Sequence, residues 1–394
     1  MQIDIVIIIL ISSSTGSYDF FLVHYDDKCV VGDRCNSYTK GIGLTLDDIL
    51  RNAIQQNTTM NNQPFFVRIG AALTIIMFTG GFISSVLSLI TFQNVESQKV
   101  GCGMYLFSSS ITSLLTISML TFKFWFVVRT HINTSVSRSV LRFGCMSVEP
   151  VFKVFLYLDT WLNACVAVER AVHVSKGVRF KKEKSKRIAR WIIIILPLLV
   201  IATIVHEPIH RDLMEYTTDK YQSKQVDNWT NESIEYDNWT TASREYDMTT
   251  HVLCVIHYSR SVQNYNTVIL FFHLIFPFIA NLLSALYIIF GAARQRSLAR
   301  TKKTYKEHVA EQFSEHKQLI ISPVILLILS LPRLIISLVS GCVDASKNPW
   351  LYLCGYFISF TPSMLIFVVF VVPSELYMKT FKETLQKCRQ RTHS

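Results

Sequence analysis

The chain has 394 residues, half of them hydrophobic and only 17 % charged, and its net charge is +11. Soluble domains devote about a quarter of their residues to charge, so this composition excludes an ordinary soluble protein and reads as an integral membrane protein. No nucleic-acid partner is expected.

Taken in chain order, residues 1–17 have the outline of a signal peptide, with an apolar Ile5–Ile11 core followed by Ser, Thr and Gly, although a basic start is missing. Residues 18–65 are polar and acidic and are expected to form an outer tail, with Cys29 and Cys35 close enough to close a small loop. Apolar stretches near the length needed to cross a bilayer follow at 66–92, 103–128, 145–172, 188–205, 261–293, 319–340 and 350–372. The predicted fold class is an all-α membrane protein, a seven-transmembrane helix bundle over 66–372. The second stretch is the most polar of them: Ser108, Ser109, Ser110, Thr112 and Ser113 must satisfy their hydroxyls against backbone or neighbouring helices. Residues 373–394 read as a short amphipathic helix and tail, with Leu376, Tyr377, Phe381 and Leu385 on an apolar stripe opposite lysines.

Lys and Arg crowd the connection after the third stretch, the connection after the fifth and the C-terminal tail. The positive-inside rule puts these on the cytoplasmic face, and the N-terminus outside. Five Asn-x-Ser/Thr sequons, beginning at Asn57, Asn133, Asn228, Asn231 and Asn238, all fall on the face assigned as outer. Of the nine cysteines, Cys145 and Cys254 both lie outside and can pair, whereas Cys342 and Cys354 flank the last outer loop. Cys388, beyond the amphipathic helix, is a palmitoylation candidate. There is no His-Glu-x-x-His pair, phosphate loop, nucleophile elbow or cysteine cluster with metal spacing. Neither an enzyme, a cofactor nor a metal site is expected.

The third stretch carries the most information. Cys145 stands 25 positions before Arg170 in Glu169-Arg170-Ala171, a separation of roughly 37 Å along a helix. Together with Pro277 in the fifth stretch, Pro332 in the sixth and the segment from Pro373 to Phe381, this resembles the rhodopsin-like (class A) G-protein-coupled receptors, and within them the divergent, peptide-receptor-like members found in invertebrates. The resemblance covers about 66–385. Departures are numerous: Ala171 replaces an aromatic, Ser113 stands where the second-helix carboxylate is expected, Ser85 replaces the first-helix asparagine, Ser330 replaces the sixth-helix aromatic, and Ile366 to Phe370 replaces Asn-Pro-x-x-Tyr.

The resemblance implies a plasma-membrane receptor with its C-terminus in the cytoplasm, an extracellular ligand, a heterotrimeric G-protein partner and contact with membrane lipid. It makes Glu169 and Arg170 the coupling switch, with the carboxylate holding the arginine at rest, and Pro277 and Pro332 the helix pivots. It also implies that Asp159, three helical turns before Arg170, supplies with Ser113 the buried acid or sodium-ion site that the second helix lacks. The ligand cavity would gather Lys123, Glu149, Phe152, Lys153, His273 and Arg333, where cations should meet Glu149, Glu207 or an anionic ligand group. An aromatic at Phe152, in place of an aspartate, argues against a biogenic amine. The outer loop 207–260 carries ten Asp or Glu against five Lys or Arg, which would steer a basic ligand toward it. A peptide with basic residues and an acidic end satisfies both features. Two other readings stay open: a non-signalling seven-span protein acting as decoy or adhesion module, and a ligand-gated channel, whose inward N-terminus the flanking charges oppose.

Overall fold

The computed structural model describes residues 23–25, 28–33, 36–39, 45–50, 53–133, 135–219, 248–256, 258–299, 317–338 and 348–392. The signal-peptide segment 1–17, Cys35, Cys342 and the sequons at Asn228, Asn231 and Asn238 lie outside them, as do the side chains of Arg333 and Cys388. In chain order come an antiparallel three-stranded sheet of β1 (Val23–Tyr25), β2 (Lys28–Asp33) and β3 (Asn36–Thr39), then α1 (Leu46–Leu50), α2 (Phe65–Phe92), α3 (Gly101–Ile132), α4 (Arg138–Lys176), α5 (Lys182–Ile204) and α6 (His206–Ile209). A hairpin of β4 (Arg211–Asp219) and β5 (Met248–Ile256) leads to α7 (Arg260–Ala299) and α8 (Lys317–Leu338). The last helices are α9 (Pro349–Ile358), α10 (Thr361–Met364), α11 (Ile366–Phe370) and α12 (Glu375–Thr392).

Among the described residues, five helices, α2, α3, α4, α5 continued through α6, and α7, are long and apolar enough to cross a membrane. They pack in a closed order: α2 on α3, α3 on α4 and α5, α4 on α7, α7 on α8, and α8 on α9 and α11, which return to α2. On α5, Trp191, Ile194, Leu198 and Leu199 are 58–64 % exposed. The hydroxyl-rich helix α3 forms because most of its hydroxyls bond back one turn: Ser110 to the Leu106 carbonyl at 2.8 Å, Thr116 to Thr112 at 2.7 Å, Ser118 to Leu114 at 2.8 Å. Ser109 and Ser113, four residues apart and hence on one face, turn toward α4 instead.

The apolar stretch 350–372, expected as one helix, is broken into α9, α10 and α11. Pro362 accounts for the first break, since it has no N–H to donate and its ring clashes with the carbonyl four residues back. Neighbouring serines take up part of the slack. Ser84 Oγ of α2 accepts from the Phe367 N–H at 3.1 Å, and Ser322 Oγ of α8 donates to the Val369 carbonyl at 2.8 Å, side-chain bonds of the kind that make broken helices tolerable in an apolar surround.

The outer tail expected over 18–65 is built into the fold from residue 45 onward. Leu46 and Leu50 are fully buried, and Ile49 and Ile54 nearly so, in one cluster with Phe124, Val127 and Val128 of α3 and Leu353 and Phe357 of α9. A five-residue helix has no stability of its own, so this burial is what holds α1. Its polar ties are Asp47 Oδ1 to His131 Nε2 at 2.7 Å, the Asn57 N–H to the Ile132 carbonyl at 2.9 Å, and Gln63, whose amide knots together Gln55 and Thr58. The two described sequon asparagines, Asn57 and Asn133, are exposed at this same end.

At the other end α12 lies against α2. Tyr377 meets Phe92 edge-on at 5.1 Å and donates to Cys102 Sγ at 3.9 Å, and Phe381 meets Phe367 at 5.1 Å. Leu376 and Leu385 of the expected stripe are exposed. Burial pushes the Tyr377 phenol well above its usual range, so it stays a donor.

Candidate functional site

Helix α4 runs the length of the bundle and carries polar chemistry at three depths. At its start Cys145 is disulfide-bonded to Cys254 of β5, across a sequence separation of 109. This fastens the β4–β5 hairpin over α4, and Arg211 at the foot of β4 is thereby brought under the disulfide, its Nη1 3.9 Å from Cys254 Sγ. Cys102, Cys165 and Cys354 are free thiols.

Just inside the disulfide lies a buried ionic network. Lys123 of α3 is 4 % exposed, paired with Glu149 of α4, and donates to Tyr356 Oη of α9 at 3.3 Å. Its ammonium also sits 5.0 Å from the Phe152 ring and 5.7 Å from the Tyr356 ring, each a favourable cation–π contact. Lys153, one turn on from Glu149, reaches Glu207 at 2.6 Å, and Glu207 also takes Arg211 at 3.0 Å. Four of the residues expected to gather here, Lys123, Glu149, Phe152 and Lys153, are therefore together. His273 is elsewhere. It is wedged between α4, α5 and α7, accepting from Trp161 Nε1 at Nδ1 (2.9 Å), with Nε2 2.8 Å from Thr203 Oγ1, and it stacks on Tyr157 at 4.5 Å. The Trp donor fixes the proton on Nε2. Arg333 is on α8, next to Pro332.

At mid-depth Asp159 is 3 % exposed. Ser113 donates to its Oδ1 at 2.7 Å and Ser363 of α10 to its Oδ2 at 2.7 Å. Ser109, 3.3 Å away, also faces Asn163 Oδ1 at 3.1 Å, and Thr112 stands at 3.4 Å. The expected pairing of Asp159 with Ser113 is thus direct. The carboxylate borders a small cavity lined by Asn163, Asn281, Ser330, Ser359, Ser363 and apolar side chains of α7 and α8. Asn281 Oδ1 is buried there without a hydrogen-bond partner. A buried carboxylate with neutral oxygens around it is a donor set suited to a small hard cation. Pro277, one turn before Asn281, lies inside α7.

Near the far end, Glu169 and Arg170 do not pair with each other. Glu169 Oε1 takes the Ser185 hydroxyl of α5, and Gly101 makes room for this: a Cβ there would meet Ser185 Oγ at 2.7 Å and Glu169 Oε2 at 2.8 Å. Arg170 is 6 % exposed, with its guanidinium carbon 5.3 Å from the Phe370 ring and Nη1 buried without a partner. The expected carboxylate lock on the arginine is replaced by an aromatic contact from α11. Adjacent residues on a helix point about 100° apart, which is why the pair reaches different neighbours.

Several participants escaped the sequence reading. Arg211 had a signal, since it stands four residues after Glu207, the spacing of a helical acid–base pair. Ser363, Tyr356, Phe370 and Ser185 had none, because each is brought in by tertiary packing alone. A scan against protein-family models finds no match to this chain, and a search of the curated proteins finds none.

Proposed function

We propose that the chain is a divergent rhodopsin-like G-protein-coupled receptor in the plasma membrane, which converts the binding of an extracellular ligand, a peptide, into activation of a heterotrimeric G protein. In this reading α8 and the broken α9–α11 segment are the sixth and seventh spans, and α12 is an interfacial eighth helix. The disulfide faces the exterior and Arg170 the cytoplasm, in keeping with the basic flanks of the sequence. The observation that carries it is α4 itself, which joins the disulfide-tied ionic network, the buried Asp159 and the buried Arg170 in one rigid element.

A ligand that competes for Lys123, Glu149 or Lys153 shifts α4 against α3 and α9. Because Ser363 of α10 bonds Asp159 and Phe370 of α11 covers Arg170, a movement of the α9–α11 segment reaches both. Releasing the Phe370 contact frees a guanidinium with an unmade donor for a partner's carbonyl or carboxylate. The test is capture of a G-protein heterotrimer by the purified protein after enzymatic removal of nucleotide. A complex that forms without nucleotide and dissociates on adding a GTP analogue supports the reading; no complex with any heterotrimer, in the presence of tissue peptides, counts against it.

Asp159, Ser109, Ser113 and Ser363 would hold a sodium ion, which would neutralise the carboxylate and favour the resting packing. Asp159→Asn is then expected to abolish the difference between sodium and potassium in nucleotide-exchange assays and to flatten their pH dependence. Unchanged sensitivity to both would remove this role from Asp159.

A further inference from the structure

Among the described residues, the network under the disulfide is not electrically balanced. Lys123, Lys153 and Arg211 stand against Glu149 and Glu207, a surplus of one positive charge among five buried or half-buried groups. It also holds two unused donors, since Arg211 Nε and Tyr258 Oη are buried without hydrogen-bond partners. Native proteins seldom leave such groups unmatched, because each forfeits its solvation and gains nothing.

Neither donor is free to turn away. The Arg211 side chain is 7 % exposed and anchored by its other nitrogens, Nη2 on Glu207 at 3.0 Å and Nη1 on Cys254 Sγ at 3.9 Å. Tyr258 is gripped by His206 and His210, with ring centroids at 5.7 and 5.6 Å. Both ring nitrogens of His206 are committed elsewhere, to the Thr203 carbonyl and Asn266, and Nδ1 of His210 is bonded to the His206 carbonyl. Tyr258 lies within electrostatic reach of both Glu207 and Arg211, and burial raises its phenol's pKa, so it remains a protonated donor. Lys153, with 23 % of its side chain exposed, is the most open member of the network.

We propose that Arg211 Nε and Tyr258 Oη form the receiving edge of a binding site for one oxyanion, a carboxylate, sulfate or phosphate group, whose negative charge offsets the surplus of the network. The proposal rests on the receptor reading only in taking the bearer of that group for the activating ligand. The oxyanion would accept from a guanidinium edge and a phenol together, the charge-assisted geometry that favours oxyanions over chloride.

The test uses the purified full-length protein in neutral detergent, without G protein. Its unfolding temperature is followed against sodium sulfate, and separately sodium acetate, each compared with sodium chloride at equal ionic strength and, for acetate, with acetamide. A saturable stabilisation by the oxyanions is expected. Tyr258→Phe removes a hydroxyl that has no partner, so it should leave the unfolding temperature without added anion unchanged or slightly higher, while weakening the apparent oxyanion affinity about ten-fold. Glu207→Gln should lower the basal unfolding temperature yet strengthen the oxyanion response, because it raises the surplus charge. A wild type that responds to the oxyanions no more than to chloride overturns the proposal. So does a Tyr258→Phe response equal to that of wild type. Since no coupling is measured, failure here leaves the receptor reading standing, and a receptor that never couples could still bind the anion.

Discussion

Replacing Lys123 by Met is expected to destabilise the protein by about 3–5 kcal/mol, the usual result of stripping one partner from a buried ion pair. Met fills much the same volume, so the loss reports charge rather than packing. Glu149 would be left with Lys153 and Arg211 only at longer range, both already engaged by Glu207. Tyr356 would lose its donor, and the Phe152 and Tyr356 rings the cation between them. Adding Glu149→Gln should recover most of the stability, because the double variant no longer buries a lone charge. A denaturation series in detergent on wild type, both single variants and the double gives the coupling directly. Additive losses would mean that the pair is solvated and contributes little, as exposed pairs do.

The second large effect is expected at the N-terminal plug. Leu50 is fully buried between α3 and α9, and Leu50→Ala should cost about 2–5 kcal/mol. A polar tie of the segment such as Asp47 to His131 contributes about 1 kcal/mol net. The loss weakens the segment far more than it weakens the bundle, so residues 45–63 should detach more readily, as a unit, without unfolding the bundle. Limited proteolysis reads this: cleavage within 45–63 should become fast in Leu50→Ala and stay slow in the wild type. Equal and rapid cleavage in both would mean that the segment is a free tail. Detachment should also open a route to Lys123, since α1 shares its cluster with Phe152 and Tyr356, which flank that ammonium.

The helices were legible in the sequence because apolar runs of about 20 residues admit few other structures. Five of them reappear with bounds shifted by up to seven residues, most at α4, which begins at Arg138 rather than 145. Periodicity could not show that the final run is broken, although Pro362 was there to be weighed. It also missed the plug, because Leu46, Ile49, Leu50 and Ile54 lie in a polar, acidic segment, where four apolar residues are too few to mark a buried face. At the candidate site, charge logic succeeded where partners were scarce: buried cations must find carboxylates, and Lys123 and Lys153 find Glu149 and Glu207. It went astray at Glu169 and Arg170, where sequence adjacency suggested a pair and helical geometry separates them. His273 shows the same limit, since its partners Trp161 and Thr203 come from two other helices.

If Arg170 couples this bundle to a G protein, as proposed, the rate of guanine-nucleotide exchange depends on that residue. Membranes bearing wild type or Arg170→Ala are assayed against a panel of heterotrimers, first without ligand and then with pooled tissue peptides, at matched surface expression. Exchange accelerated by the wild type and reduced to background in Arg170→Ala is the predicted result. Acceleration that survives the substitution, or none from the wild type with any heterotrimer and any peptide fraction, would contradict it.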